Sequence, residues 1–224
     1  MVFSQLKEYQ AIIFDMDGTL IDSMYLWREV DKEFLQKRGF SVPVDLFHHL
    51  PQGNSFIQTA QYFKDRFGLA DSPESIMQEW NDMVSWHYEN EVKLKPGAKE
   101  VLAKLYQKKI PLGLGTSNSY DLAKKVLTRN GVWDYFSAVV TGDMELLGKP
   151  YPDIYLECAR QLKIPPECCL VIEDTLPGIQ AAKAAGMKSI AIYDEDSLEF
   201  HPQMQVLADA FVYNFKELEN ILNL

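Results

Sequence analysis

Ala11-Ile12-Ile13-Phe14-Asp15-Met16-Asp17-Gly18-Thr19 is the stretch around which this 224-residue chain is organised. Its first four residues are apolar and two of them are β-branched, the pattern of a strand buried on both faces. Two carboxylates one residue apart follow. Alternation along an extended chain points Asp15 and Asp17 the same way, so their repulsion needs relief. A hard divalent cation such as Mg²⁺ supplies it, because it takes oxygen ligands and one or two carboxylates suffice. Gly18 lets the backbone turn where the strand ends, and Thr19 adds a hydroxyl. A lone Asp-x-Asp is ordinarily an acidic turn without chemistry. An EF-hand-like calcium loop counted from Asp15 fails, since its sixth and twelfth positions are Leu20 and Leu26 instead of Gly and Glu. A third reading makes one carboxylate a nucleophile and the other an acid/base, at the carboxyl end of a parallel strand. That reading requires a hydroxyl, a cation and more acid at other strand ends.

Working outward, residues 24–92 show helical periods and no convincing strand. Met24, Trp27, Val30, Phe34 and Leu35 predict a helix that stops near Gly39. Phe56, Ala60, Phe63 and Phe67 predict a second, and Ser72-Pro73-Glu74 opens a third with cap, proline and first-turn acid. Between the first two lie the apolar run Val44 to Leu50 and a turn at Pro51-Gln52-Gly53-Asn54. After Lys95-Pro96-Gly97 the pattern changes. Helices at 98–108, 121–129, 153–162 and 177–185 alternate with short apolar runs at 111–115, 138–140, 169–172 and 189–192, the signature of parallel β-α units. A weak strand at 210–213 and a helix at 216–223 follow. The expected fold class is α/β: a doubly wound, Rossmann-like parallel sheet core from residues 1–22 and 94–224, with an all-helical insertion at 23–93.

Composition narrows the function. A 47% hydrophobic content suits a sizeable core, and a net charge of −10 argues against a nucleic-acid partner. An anionic substrate must then be held by local groups, not by the global field. Cys158, Cys168 and Cys169 form no disulfide framework and suit a reducing compartment. The first residues lack the pattern of a signal peptide, and no segment is apolar over the ~18 residues of a membrane span. The expectation is a soluble cytoplasmic protein, monomeric and without a membrane partner.

Each later strand end carries polar groups. Thr116-Ser117-Asn118-Ser119 follows the second core strand; Ser119 is expected to cap the next helix, and such a helix start also favours anions. Lys149, between Gly148 and Pro150, is either a solvated loop residue or a point charge over the same sheet edge. Glu173 and Asp174 directly follow the fourth strand, where desolvation is costly unless they are paired or bind metal.

Taken together, Asp15-x-Asp17-Gly18-Thr19, Thr116-Ser117, Lys149-Pro150-x-Pro152-Asp153 and Glu173-Asp174 resemble the four ordered motifs of the haloacid dehalogenase-like hydrolases. The similarity is greatest to the branch holding β-phosphoglucomutase and small sugar-phosphate phosphatases, and it spans roughly residues 9–22 and 94–194. The resemblance implies Mg²⁺ as cofactor and Asp15 as the nucleophile that forms an aspartyl-phosphate. It makes Asp17 the acid and base, with Thr116, Ser117, Asn118 and Lys149 around the phosphate. Asp15, Asp17 through its backbone carbonyl, Glu173 and Asp174 would surround the metal. The insertion resembles a cap that closes over the site and selects the substrate.

Mutases of the branch carry a histidine where this chain has Trp27, and a cationic element in the following loop. Here residues 39–63 contain no lysine or arginine, and 39–92 contain only Lys64 and Arg66 against eight acids. His48 and His49 are read as surface residues. The expected function is therefore a phosphatase for a small phosphorylated sugar or polyol, with Trp27, Gln52 and Asn54 contacting the sugar body. A hexose-phosphate mutase is the alternative. A phosphoacceptor switch, which would leave Asp17 and the insertion without a role, is the non-enzymatic one.

Overall fold

The computed structural model describes residues 9–46 and 55–224. Gln52, Asn54, His48 and His49 lie outside them. Strands β1 (Ala11–Phe14), β2 (Leu112–Gly115), β3 (Phe136–Val140), β4 (Cys169–Glu173), β5 (Lys188–Ile192) and β6 (Ala210–Val212) form one sheet in the order β3-β2-β1-β4-β5-β6. All the pairings are parallel. β1 is central, and the chain passes to opposite sides of it through β2 and β4. That reversal opens a crevice at the carboxyl ends of the strands.

Both faces of the sheet are covered, so β1 is apolar throughout and fully buried. Ile12 and Phe14 join the core beneath α4 (Ala98–Gln107) and α5 (Tyr120–Arg129), whereas Ala11 and Ile13 join that beneath α6 (Asp153–Leu162) and α7 (Leu176–Ala184). The register sets Phe14 level with Leu114 on one side and Ile172 on the other. One residue further, Asp15 and Glu173 come out side by side.

Helices α1 (Met24–Lys37), α2 (Phe56–Phe67) and α3 (Pro73–Asn90) form the helical insertion between β1 and α4. Phe34, Phe56 and Phe63 surround Trp80 with ring centroids 5.5, 5.7 and 5.0 Å away, an aromatic nucleus for the three helices. Ser55 closes a capping box with Gln58 at the start of α2, and Ser72 caps α3 by accepting from the Ser75 amide at 3.2 Å. The two linkers to the core run side by side. Ile21 and Leu94 form an antiparallel bridge, the Asp22 N–H donates to the Lys93 carbonyl at 3.1 Å, and the Lys95 N–H donates to that of Leu20 at 2.8 Å.

Two expectations differ in detail. Helix α8 (His201–Leu207) is an additional element; its seven residues, with Pro202 near the start, are too few to display a period. Ser119 occupies the N-cap position of α5 but does not cap it; its hydroxyl donates instead to Asn81 Oδ1 on α3, at 3.0 Å. No helix among the described residues is long and apolar enough to cross a membrane.

Candidate active site

Asp15 follows β1 directly and is 5% exposed. It lies on the side of the sheet that Ile13 faces, the side covered by α6. There Lys149, in the loop before α6, places its ammonium 2.5 Å from Asp15 Oδ1 and 2.5 Å from Glu173 Oε1. The lysine is therefore no solvated loop residue: its side chain is 3% exposed. Burial works to lower its pKa, but Asp15 and Glu173 outweigh that and hold it raised.

Glu173 is held on every side. Tyr155 of α6 donates to Oε1 at 3.0 Å, and the Thr175 amide and hydroxyl donate to Oε2 at 2.7 and 2.9 Å. A Cβ on Gly178, in the first turn of α7, would stand 1.8 Å from Glu173 Oε1, so only glycine lets that helix start so close. Asp174 accepts from the Thr19 hydroxyl at 2.6 Å. Gly18 has a φ of +80°, and a Cβ there would meet Asp174 Oδ2 at 2.2 Å. Sequence spacing 155 residues apart is thus closed by a turn that admits no side chain.

Asp15, Glu173 and Asp174 present carboxylate oxygens within 4.8 Å of one another. Burial, and then the neighbouring carboxylates, push Asp174 well above the usual carboxylate range. Burial also raises Asp15, while Lys149 opposes it. One lysine among three buried acids leaves an excess of negative charge, and the donors are all oxygen. That combination fits a hard divalent cation such as Mg²⁺.

Asp17 has different surroundings. β1 ends at Phe14, so the pleat does not carry through to Asp17, and its carboxylate turns away from Lys149. Oδ1 accepts from the Ser23 hydroxyl at 2.7 Å, from the Trp27 indole at 3.4 Å and from the Tyr88 hydroxyl; Oδ2 accepts from Asn118 Nδ2 at 2.9 Å. Trp27 also donates to the Tyr88 hydroxyl at 2.9 Å, and its ring meets those of Phe56 and Tyr88 edge-on. Burial, then the charge of Asp17, raises Tyr88 well above an ordinary phenol, so it stays a donor.

Thr116 is buried beyond β2, its Oγ1 accepting from the Asn118 amide at 3.1 Å. The Ser117 carbonyl is crossed so closely by Gly142 that a Cβ there would lie 1.8 Å from its oxygen. Asp15, Lys149, Glu173 and Asp174 are thus gathered into one buried group. Asp17 and Asn118 form a second, which helices α1 and α3 complete. Tyr88 and Tyr155 were invisible as site residues, for their only sequence signal is membership of buried helical stripes.

This arrangement has counterparts among known proteins. A family model described as haloacid dehalogenase-like hydrolase matches residues 12–192. The chain belongs to that family. The phosphorylated carbohydrates phosphatase of Thermotoga maritima is 32% identical over 81% of this chain and 83% of its own length. Hexitol phosphatase B of Escherichia coli is 29% identical over 95% of each. Among solved structures, CbbY from Rhodobacter sphaeroides in complex with phosphate superposes with a TM-score of 0.81 at 26% identity, covering 96% of this chain and all of that one. The haloacid dehalogenase-like assignment accounts for a parallel sheet with a helical insertion after its first strand, and it makes the chain an enzyme.

Proposed function

We propose that this enzyme is a Mg²⁺-dependent phosphatase that hydrolyses a small sugar or polyol monophosphate through an aspartyl-phosphate on Asp15. The observation that carries the reading is the buried Asp15–Lys149–Glu173–Asp174 group at the tip of the central strand. Asp15, Glu173 and Asp174, with the backbone carbonyl of Asp17, would hold the ion, which when bound neutralises phosphoryl charge. Lys149 supplies the second positive charge there, and Thr116, Ser117 and Asn118 line the adjoining loop.

In the first half-reaction an Asp15 carboxylate oxygen forms a bond to phosphorus while the bond from phosphorus to the alcohol oxygen breaks. Asp17 gives its proton to that oxygen. In the second, water attacks the phosphorus, Asp17 takes a proton from it, and the Asp15 carboxylate is released with inorganic phosphate. Phosphoryl transfer asks for little beyond in-line positioning and charge neutralisation, which such a group supplies. Residues 23–93 act as the cap, and the scarcity of cations in 39–92 suits a neutral substrate body better than a second phosphate.

The test is phosphate release across a panel of sugar and polyol phosphates, with and without Mg²⁺. Steady Mg²⁺-dependent turnover is expected, lost on chelation. Given β-glucose 1-phosphate with a catalytic amount of the 1,6-bisphosphate, the enzyme should release free phosphate. Rapid isomerisation to glucose 6-phosphate with little phosphate release would replace the phosphatase by a mutase, and stoichiometric labelling without turnover would replace it by a phosphoacceptor.

A further inference from the structure

Gly148 stands immediately before Lys149 and is buried, and a buried main-chain N–H must find an acceptor. It finds one outside the core: the amide donates to Gln58 Oε1 of α2, at 2.9 Å. Pro150 brings no N–H of its own, and the Tyr151 amide turns back to the Gly148 carbonyl at 3.0 Å. Among the described residues, the Gln58 contact is thus the main-chain hydrogen bond that ties residues 148–151 to the rest of the molecule.

The loop and the helix start fit closely. A Cβ on Gly148 would lie 2.1 Å from the Ser55 amide nitrogen and 2.7 Å from Gln58 Oε1, so only a hydrogen lets them meet. Gln58 Oε1 also accepts from the Ser55 hydroxyl at 2.9 Å and from the Ser55 amide at 3.3 Å. Two of its donors are backbone N–H groups, which fixes this atom as the amide oxygen. A capping box accounts for the bonds to Ser55, but it does not call for the one from Gly148. Two residues before Gln58, the Phe56 ring meets Trp27 edge-on with centroids 5.9 Å apart, and Trp27 donates to Asp17. The first turn of α2 therefore braces both halves of the site.

Resting on the phosphatase reading above, we propose that Gln58 is a positioning residue for Lys149, acting through Gly148. By fixing the Gly148 amide it fixes where the lysine leaves the loop. The ammonium is thereby held 2.5 Å from both Asp15 and Glu173, where it meets the phosphoryl oxygens. Every ester brings the same phosphoryl group, so this role acts on the turnover of all of them alike.

The experiment compares the wild-type enzyme with Q58M, Q58E, G148A and S55A, in Mg²⁺, on a hexitol 1-phosphate and on p-nitrophenyl phosphate. Q58M keeps the length of the side chain and removes the acceptor. Its kcat should fall about 5- to 100-fold, by the same factor on both esters. G148A forces the same contact apart from the loop side and should lose kcat likewise. Q58E keeps an acceptor oxygen and a residue suited to the capping box, so it should recover most of the loss. S55A breaks the capping box but leaves Gln58 to Gly148, and it should keep its kcat. Thermal melts establish which variants fold. Wild-type kcat in Q58M or G148A, no recovery in Q58E, a loss in S55A equal to that in Q58M, or a loss confined to KM on the hexitol phosphate overturns the role of Gln58. Each leaves the phosphatase reading standing. Absence of turnover by the wild-type enzyme on every phosphate ester overturns that reading, and this one with it.

Discussion

The two halves of the site are built on different principles. On the core side, Asp15 and Glu173 leave adjacent strands whose register is fixed residue by residue, and Lys149 and Asp174 close on them with exposures of 3% and 2%. On the insertion side, Trp27 and Tyr88 reach Asp17 from α1 and α3, which are held by ring packing and joined to the core by two linkers. A ladder of backbone hydrogen bonds fixes position to a fraction of a residue; packed helices on linkers can shift as a body. The chemistry is therefore anchored to the rigid half, and the helical half reaches it at Asp17 and Asn118. The two aspartates, though only one residue apart, belong to different machines.

Substitutions can break or sharpen that division. The largest effect is expected for Asp15→Asn, which removes the nucleophile from the rigid half and should lower kcat by about 10⁴-fold or more. Single-turnover phosphate release measures it, and near-normal activity would mean that no covalent step occurs there. Asp17→Asn should cost about 10²- to 10⁴-fold, the range for a positioned acid or base. Its loss should shrink for esters with good leaving groups such as p-nitrophenol, since these need no proton. An equal loss on good and poor leaving groups would assign Asp17 to positioning alone. Tyr88→Phe removes one donor to Asp17 and nothing from the core group, so about 0.5–1.5 kcal/mol is at stake, up to about tenfold in kcat. A Tyr88→Phe loss as large as that of Asp17→Asn would erase the distinction between the halves.

The same division explains what could be read from the sequence. Asp15, Lys149, Glu173 and Asp174 each sit at a strand end or beside a glycine or proline, where local pattern reveals them, and α6 was legible to the residue because Ile154, Tyr155, Cys158 and Ala159 are the buried positions of a plain helical period. Tyr88 completes the buried stripe Ile76, Trp80, Val84, Tyr88, so the pattern explains its ring and is silent about its hydroxyl. Trp27, expected against a sugar, spends its indole N–H on Asp17 and Tyr88. Ser119 shows the same limit: its position was legible, but its partner Asn81 lies 38 residues away. Local signals set where a group stands, and long-range packing sets what it holds.

The paired linkers have a mechanical consequence. Because Leu20 to Asp22 and Lys93 to Lys95 are bonded to each other through their backbones, they behave as one ribbon instead of two independent strings. A ribbon of this kind bends across its flat face far more readily than it slides along its length. Were the three helices to move against the sheet, such a ribbon would confine them to a swing about one hinge line in place of free tumbling. Any stroke along that line that lifts α1 also draws Trp27 off Asp17, so admitting a molecule and rearranging the proton-carrying residue become one movement with one timetable.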